Sequence, residues 1–145
     1  EVIKTIYDPC PAGFEMPVSL AFTGFTTTGE NSNTPSEYNV RRYRGWHNGW
    51  FFKTADAQTP LLYIGTTGAI AHFSGTFMPA TFGTYWTAIP LSGNTGCDFV
   101  INENFIMPKG NDQAAMAYAI WPAYERPNKH GATNDRMQSG GVIRW

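Results

Sequence analysis

The densest group of chemically capable side chains lies between residues 41 and 50, in the stretch RRYRGWHNGW. Three arginines alternate there with a tyrosine and two tryptophans, and two glycines allow the backbone to bend. Aromatic rings stack on flat ligand faces, arginine grips carboxylates with two parallel hydrogen bonds, and histidine and asparagine add directional hydrogen bonds. These residue types predict a ligand-binding surface formed by Arg44, Trp46, His47, Asn48 and Trp50.

The same stretch has a second interpretation as a pair of strands. In that case the tryptophans fill the core and the arginines face solvent, and the general preference of large aromatic side chains for the interior favours this alternative. The two interpretations differ in whether Trp46 and Trp50 are exposed. Exposure of these two rings therefore separates a binding surface from a structural element.

A second group of oxygen-bearing side chains lies near the end of the chain, in ERPN (125–128) and TND (133–135). Carboxylate and amide oxygens are the ligands that calcium prefers. We therefore consider a calcium site formed by Glu125, Asn128, Asn134 and Asp135. A polar loop rich in turn-forming residues explains the same composition and is favoured over calcium.

Catalytic chemistry has little support in the sequence. His47, His72 and His130 are scattered, and no His-x-x-x-His or Cys-x-x-Cys pair offers the spacing of a zinc site. Cys10 and a distant histidine could in principle form a nucleophilic pair, but this cysteine is wedged between two prolines. We therefore expect no enzymatic activity, no catalytic residues and no cofactor apart from the calcium hypothesis.

Composition limits the partners of the chain. Its 145 residues fit one domain, 42% are hydrophobic, 15% are aromatic and only 14% are charged, with a formal net charge of −1. A nearly neutral net charge argues against nucleic-acid binding, which normally demands a basic face. No apolar run reaches the roughly 18 residues of a membrane span. Composition thus argues against nucleic-acid partners and against a membrane span in this chain.

The elements that must position these residues are mostly strands. Runs of β-branched and aromatic residues between turn formers predict strands at 2–7, 83–91, 97–108 and 141–145, a hairpin across 60–75, and two strand pieces within 41–54. A short helix is predicted at 17–25, where Pro17 suits a first helical turn, and the polar stretch 26–39 is predicted to be an exposed loop. The fold class is therefore α+β, with a β-rich core, one or two short helices and long loops.

Three motifs in register resemble a known family. These are IYDPCPAGFEMP (6–17), the run LLYIGTTGAIAHFSGTFMPATFGTYWTA (61–88), and MAYAI followed by a polar loop and GGVIRW at the end. Together they resemble the Fibrobacter succinogenes major paralogous domain and its fimbrillin-associated Bacteroidetes surface-protein relatives. Those relatives are similar to C-type-lectin-like domains and formylglycine-generating enzymes. The resemblance covers nearly the whole chain in order.

The resemblance implies a fold and several structural roles. The two chain ends would pair as neighbouring strands, the proline-rich corner would turn the first strand into the first helix, and Trp86 would be buried scaffold. Relatives carry a cysteine near the end where this chain has Trp145, so Cys10 is either unbonded or joined to Cys97. The paired cysteines of the formylglycine-generating relatives are absent from the second half of this chain. The calcium motifs of sugar-binding lectins are matched only loosely by 125–135.

On this basis residues 1–145 are expected to be a single C-type-lectin-like domain, the C-terminal part of a larger surface protein whose signal sequence lies outside this chain. The expected function is adhesion or recognition at a bacterial cell surface or fimbrium, with a glycan, a protein or other parts of a surface assembly as partners. The alternatives are a structural capping or anchoring module without its own ligand and, with least support, an enzyme.

Overall fold

The computed structural model describes residues 8–42, 44–53, 62–79, 81–91 and 93–124. Of residue 124 it describes the backbone. Strand residues make up 43% of this part and helical residues 6%, so the predicted β-rich fold is confirmed. The strands are β1 (Phe14–Glu15), β2 (Gly49–Phe52), β3 (Leu62–Gly65), β4 (Ala69–Ile70), β5 (Phe77–Met78), β6 (Gly83–Pro90), β7 (Thr95–Ile101), β8 (Ile106–Gln113), β9 (Ala119–Ile120) and β10 (Ala123–Tyr124).

The largest sheet has four strands in the order β8-β7-β6-β9. Strands β6, β7 and β8 are antiparallel neighbours, whereas β9 runs parallel to β6. Three two-stranded antiparallel sheets complete the described part: β1 with β10, β2 with β3, and β4 with β5.

An aromatic core joins the β2–β3 pair to one face of the large sheet. Phe22 stacks on Phe99 of β7 with ring centroids 4.5 Å apart, and Phe25 packs on Phe52 of β2 at 4.2 Å. The buried members of this core are Phe22, Tyr38, Val40, Trp50, Phe52, Ile64, Tyr85, Phe99, Ile101 and Ile106. Close packing of these rings fixes the position of β2 and β3 against the large sheet.

Two polar side chains of the core are tied to the β7–β8 connection. The Trp50 indole donates to the Asn102 carbonyl at 2.8 Å, and the Tyr38 hydroxyl donates to the Asn104 carbonyl at 2.6 Å. Buried polar groups need such partners, and these two bonds add direction to an otherwise apolar contact.

The predicted helix at 17–25 is wrong for most of its length. Only Thr23–Phe25 is helical, as a three-residue 3₁₀ helix, and a second 3₁₀ helix covers Pro35–Glu37. Threonine and phenylalanine are weak helix formers, and the stretch gains more by placing Phe22 and Phe25 in the core. Within the described residues no helix reaches seven residues. The helical component of the predicted α+β class therefore consists of these two 3₁₀ helices.

The predicted hairpin across 60–75 is also wrong. Strand β3 pairs with β2, while β4 pairs with β5. Thr66 and Thr67 do not close a turn between them, because their backbone N–H groups donate to the Asn48 carbonyl at 2.8 Å and the Phe82 carbonyl at 3.2 Å. Long-range partners thus take up the hydrogen bonds that a local turn would have used.

The predicted strand at 97–108 is two strands. Strand β7 ends at Ile101 and β8 begins at Ile106. Between them the Asn102 side chain accepts the N–H groups of Asn104 and Phe105 at 2.7 and 2.9 Å, which is an asparagine-stabilised turn. The strand predicted at 83–91 is confirmed as β6, and of the two pieces predicted within 41–54 only β2 is a strand.

The proline-rich corner leads into a strand and not into a helix. The Asp8 carboxylate accepts the N–H of Cys10 at 2.8 Å and of Met16 at 3.3 Å, which closes the corner around Gly13. The chain then forms β1, which pairs with β10. The predicted terminal strands at 2–7 and 141–145 lie outside the described residues, and so does their predicted pairing.

Candidate functional site

The outward side of the β2–β3 pair presents two aromatic rings. Along β2 the residues alternate, so that Trp50 and Phe52 are buried and Phe51 between them is 43% exposed. Phe51 pairs in register with Tyr63 of β3, which is 39% exposed, and the two ring centroids are 4.9 Å apart. A short aromatic shelf therefore faces solvent above a rigid core.

An arginine-bearing segment continues this surface beside β2. Val40 forms an antiparallel bridge with Phe52, and the backbone N–H of Arg41 donates to the Phe51 carbonyl at 2.8 Å. Arg41 is thereby placed beside Phe51, just as Phe51 is placed beside Tyr63. We call the outward row of Arg41, Phe51 and Tyr63, with the adjoining Arg42, the β2–β3 face.

A cavity of about 200 Å³ opens on the β2–β3 face, and Arg41, Arg42, Gly45 and Phe51 line it. Both arginine side chains are exposed. Gly45 makes the turn tight, because its N–H donates to the Arg42 carbonyl at 3.0 Å and an added Cβ would lie 3.1 Å from that same oxygen. The cavity thus combines two guanidinium groups with one aromatic ring.

A turn at the start of β2 borders the same surface. Asn48 has a left-handed backbone with φ of 53°, and its carbonyl accepts the N–H of Thr66 at 2.8 Å. The Tyr63 hydroxyl lies 2.9 Å from the carbonyl oxygens of both His47 and Asn48 and can donate to either. This contact connects the turn to the aromatic shelf. The side chains of His47 and Asn48 remain exposed.

The structure separates the five residues predicted as a ligand surface. Arg44, His47 and Asn48 are exposed, and Trp46 is half-buried with its ring packed edge-on against Trp50 at 5.3 Å. Trp50 is 1% exposed, so the prediction that it contacts a ligand is wrong. The physical reason is the alternation of β2, which directs Trp50 and Phe52 into the core.

The predicted calcium residues Glu125, Asn128, Asn134 and Asp135 lie outside the described residues. In the part of the chain that the structure does describe, no group of three His, Cys, Asp or Glu side chains is arranged to hold a metal ion. The same part contains no helix that is long and apolar enough to cross a membrane.

A second cluster lies on the opposite side of the large sheet. Asp98 of β7 is 1% exposed, and its Oδ1 has no hydrogen-bond partner among the described residues. Burial and the nearby charge of Asp112 raise the pKa of Asp98 from 3.8 to about 7. The Asp112 carboxylate accepts the hydroxyl of Tyr118, and burial and this bond raise the pKa of that tyrosine.

Trp86 belongs to this second cluster. It lies in β6 opposite Asp98, its ring is 4.7 Å from that of Tyr118, and its indole donates to the Met116 carbonyl at 3.2 Å. The ring is half-buried, so it is less enclosed than predicted. Its exposed side, together with Met16 and Gly96, lines an open cavity of about 280 Å³.

The two cysteines are not bonded to each other, and both are half-buried. Burial first, and the neighbouring Asp98 carboxylate second, raise the pKa of the Cys97 thiol. A thiol held in its protonated form is a poor nucleophile. The Cys97 thiol is therefore poorly suited to act as a nucleophile.

Comparisons of this chain with protein-family models, with curated proteins and with solved structures found no match.

The sequence interpretation missed Phe51, Tyr63 and the cavity arginines Arg41 and Arg42 as a group. The signal for Phe51 was present, since a strand that buries Trp50 and Phe52 must direct the residue between them outward. No local signal identified Tyr63, because its role depends on β3 pairing with β2 rather than with the next strand. Asp98 and Asp112 were missed for a similar reason.

Proposed function

We propose that this chain is a non-catalytic recognition domain that binds a saccharide on the β2–β3 face. The observation that carries the proposal is the exposed pair Phe51 and Tyr63, held in register beside a cavity lined by two arginines. Exposed rings of this kind stack on flat apolar faces, and sugar rings present such faces through their C–H groups. Hydrogen-bond donors at the edge of the rings then select among hydroxyl or acidic substituents.

Rigidity beneath the face supports this proposal. Trp50, Phe52 and Ile64 lie under the same two strands and are each at most 1% exposed. The strands are therefore held in place before a ligand arrives, and binding does not have to order them. A preorganised shelf suits a ligand that contributes little contact area of its own.

The location and family proposals rest on the sequence resemblance. We propose that the domain has a C-type-lectin-like fold and acts in adhesion at a bacterial surface or fimbrium, because the Pro-Cys, Tyr-Trp-Thr and terminal Val-Ile-Arg sequence motifs occur in the family's order. The β-rich architecture and the scarcity of charged residues agree with such a role. Calcium has no part in this proposal.

A structural role is the second candidate, and one surface favours it. The β4–β5 hairpin exposes three large apolar side chains, with Ile70 44%, Phe77 67% and Phe73 80% exposed. Apolar side chains grouped in this way are typical of protein contacts. An anchoring or capping module would use this hairpin and would leave the β2–β3 face without a ligand.

The two candidates can be separated by binding measurements on paired variants. The domain is applied to an array of neutral and acidic glycans as wild type, Phe51→Ala, Tyr63→Ala and Phe73→Ala. We expect each of the first two variants to lose about 1 kcal/mol or more of binding free energy, roughly fivefold in affinity, by analogy with aromatic stacking on bases. Phe73→Ala is the matched control, because it removes an exposed ring from a different sheet.

Melting temperature decides how the result is interpreted. Phe51 and Tyr63 are exposed enough that their substitution should leave the fold intact, so lost binding at an unchanged melting temperature supports the proposal. Glycan binding that survives both substitutions, or that depends on Phe73 instead, places the site elsewhere and contradicts the proposal. A wild type that binds no glycan on the array contradicts it too and favours the structural candidate.

A further inference from the structure

The described lining of the cavity on the β2–β3 face carries charge of one sign. Among the described residues, Arg41 and Arg42 line the cavity together with the uncharged Gly45 and Phe51. Across the described ranges the one side-chain ion pair is Lys109 with Glu30, which lies elsewhere on the surface. Neither cavity arginine therefore has a carboxylate partner within the part of the chain that the structure describes.

The size of the cavity limits what it can hold. About 200 Å³ is below the roughly 300–1,000 Å³ of sites that enclose a drug-sized molecule. The cavity suits a single acidic substituent and the sugar unit that bears it, which lies on Phe51, while a neighbouring unit lies on Tyr63. The guanidinium group is planar and offers parallel N–H donors that match the two oxygens of a carboxylate.

We propose, on the basis of the proposed saccharide-binding function, that this site selects sugars that carry a carboxylate. Arg41 and Arg42 hold the carboxylate in the cavity, and Phe51 packs against the C–H face of the same ring. The ligand class is thus an acidic oligosaccharide containing uronic or sialic acid units. Binding is non-covalent and needs no metal ion.

The backbone allows this proposal to be tested without unfolding the site. The bond that places Arg41 beside β2 comes from its backbone N–H, and a side-chain substitution keeps it. Arg41→Gln and Arg42→Gln remove the charge and keep most of the side-chain length. Lys53→Gln is the matched control, because Lys53 is an exposed cation just after β2 that does not line the cavity.

The test compares acidic oligosaccharides with the same molecules after their carboxyl groups have been reduced to alcohols. Oligosaccharides containing glucuronic, galacturonic or sialic acid are titrated calorimetrically against the wild type at 50 and 300 mM NaCl. We expect at least one acidic member to bind at least tenfold more tightly than its reduced counterpart. The preference should shrink at the higher salt concentration, because exposed charges are screened.

The variants then assign the preference to the cavity. The double variant Arg41→Gln, Arg42→Gln should lose at least tenfold in affinity for the acidic member and little for the reduced one, while Lys53→Gln keeps the wild-type preference. Equal affinity for acidic and reduced members, binding of no acidic member, or tighter binding of a sulfated analogue overturns the carboxylate assignment.

Failure of this inference can be distinguished from failure of the proposed function. If saccharides bind without any preference for the carboxylate, and Phe51→Ala still weakens that binding, the proposed function stands and the inference is wrong. If Phe51→Ala and Tyr63→Ala leave all saccharide binding unchanged, the proposed function is wrong as well.

Discussion

Replacing Asp98 by asparagine should change how the stability of the protein depends on pH. Asp98 is 1% exposed, and its Oδ1 has no partner among the described residues. Burial and the charge of Asp112 raise its pKa from 3.8 to about 7. Ionising this carboxyl in the folded protein is therefore unfavourable, and Asp98→Asn removes the ionisation while keeping the shape.

The sign of the effect follows from proton binding. Between about pH 4 and 7 the folded state holds a proton on Asp98 that the unfolded chain has already lost, so stability falls as pH rises through this range. A difference of about three pKa units corresponds to about 4 kcal/mol in total at 1.36 kcal/mol per unit. About 3 kcal/mol of this loss falls between pH 5 and 8. These values are upper bounds, because the protein can relax around the charge.

The assay is urea unfolding of wild type and Asp98→Asn at pH 5, 6, 7 and 8. The free energy of unfolding of the wild type, minus that of the variant, should decrease by up to about 3 kcal/mol across this range. Subtracting the free energy of unfolding of the variant removes the contributions of the other carboxylates. Glu103→Gln, which changes an exposed acid, serves as the control.

A difference that stays constant from pH 5 to 8 would refute the reasoning. If Asp98→Asn fails to fold, the ¹³C chemical shift of the Asp98 carboxyl in the wild type replaces it. A carboxyl shift that titrates near pH 4 would then be the contradicting result.

Four further substitutions test the packing. Gly49→Ala should destabilise the fold by about 3 kcal/mol, because the added Cβ would lie 2.3 Å from the Ile64 carbonyl oxygen; an unchanged thermal melt would contradict this. Trp50→Ala should cost about 3–5 kcal/mol in urea unfolding and the half-buried Trp46→Ala clearly less, and the reverse order would show that the core is assigned wrongly. Trp86→Ala should cost about 2 kcal/mol by the same method, less than a buried tryptophan would, and a loss as large as that of Trp50→Ala would contradict its half-buried position.

Strand content could be predicted from sequence because it depends on local composition. The run GTYWTAIP is rich in β-branched and aromatic residues, and it forms β6 as predicted. The helix at 17–25 was predicted from Pro17 and Gly24, which mark ends but do not supply helix-forming residues between them. Placing Phe22 and Phe25 in the core outweighed these weak local signals.

Strand pairing could not be predicted, because it depends on contacts between distant residues. The Thr-Thr step after β3 has the length of a hairpin turn, yet its N–H groups bond to Asn48 and Phe82 instead. A propensity argument has no access to such partners. The same limit explains why Asp98 was not recognised, since its raised pKa arises first from burial in the folded protein and second from the charge of Asp112 on the neighbouring strand.

The candidate site illustrates how one wrong assumption about side-chain direction relocates a binding surface. The ligand surface predicted within residues 41–50 stays a prediction, whereas the alternative of buried tryptophans is correct for Trp50. The two interpretations are compatible, because an alternating strand must expose what lies between its buried residues. Burial of Trp50 and Phe52 is what holds Phe51 outward, beside Arg41 on one side and Tyr63 on the other. The residues that stabilise the strand thereby fix the positions of those proposed to bind the ligand, so substitutions in this core should weaken binding through the geometry of the face.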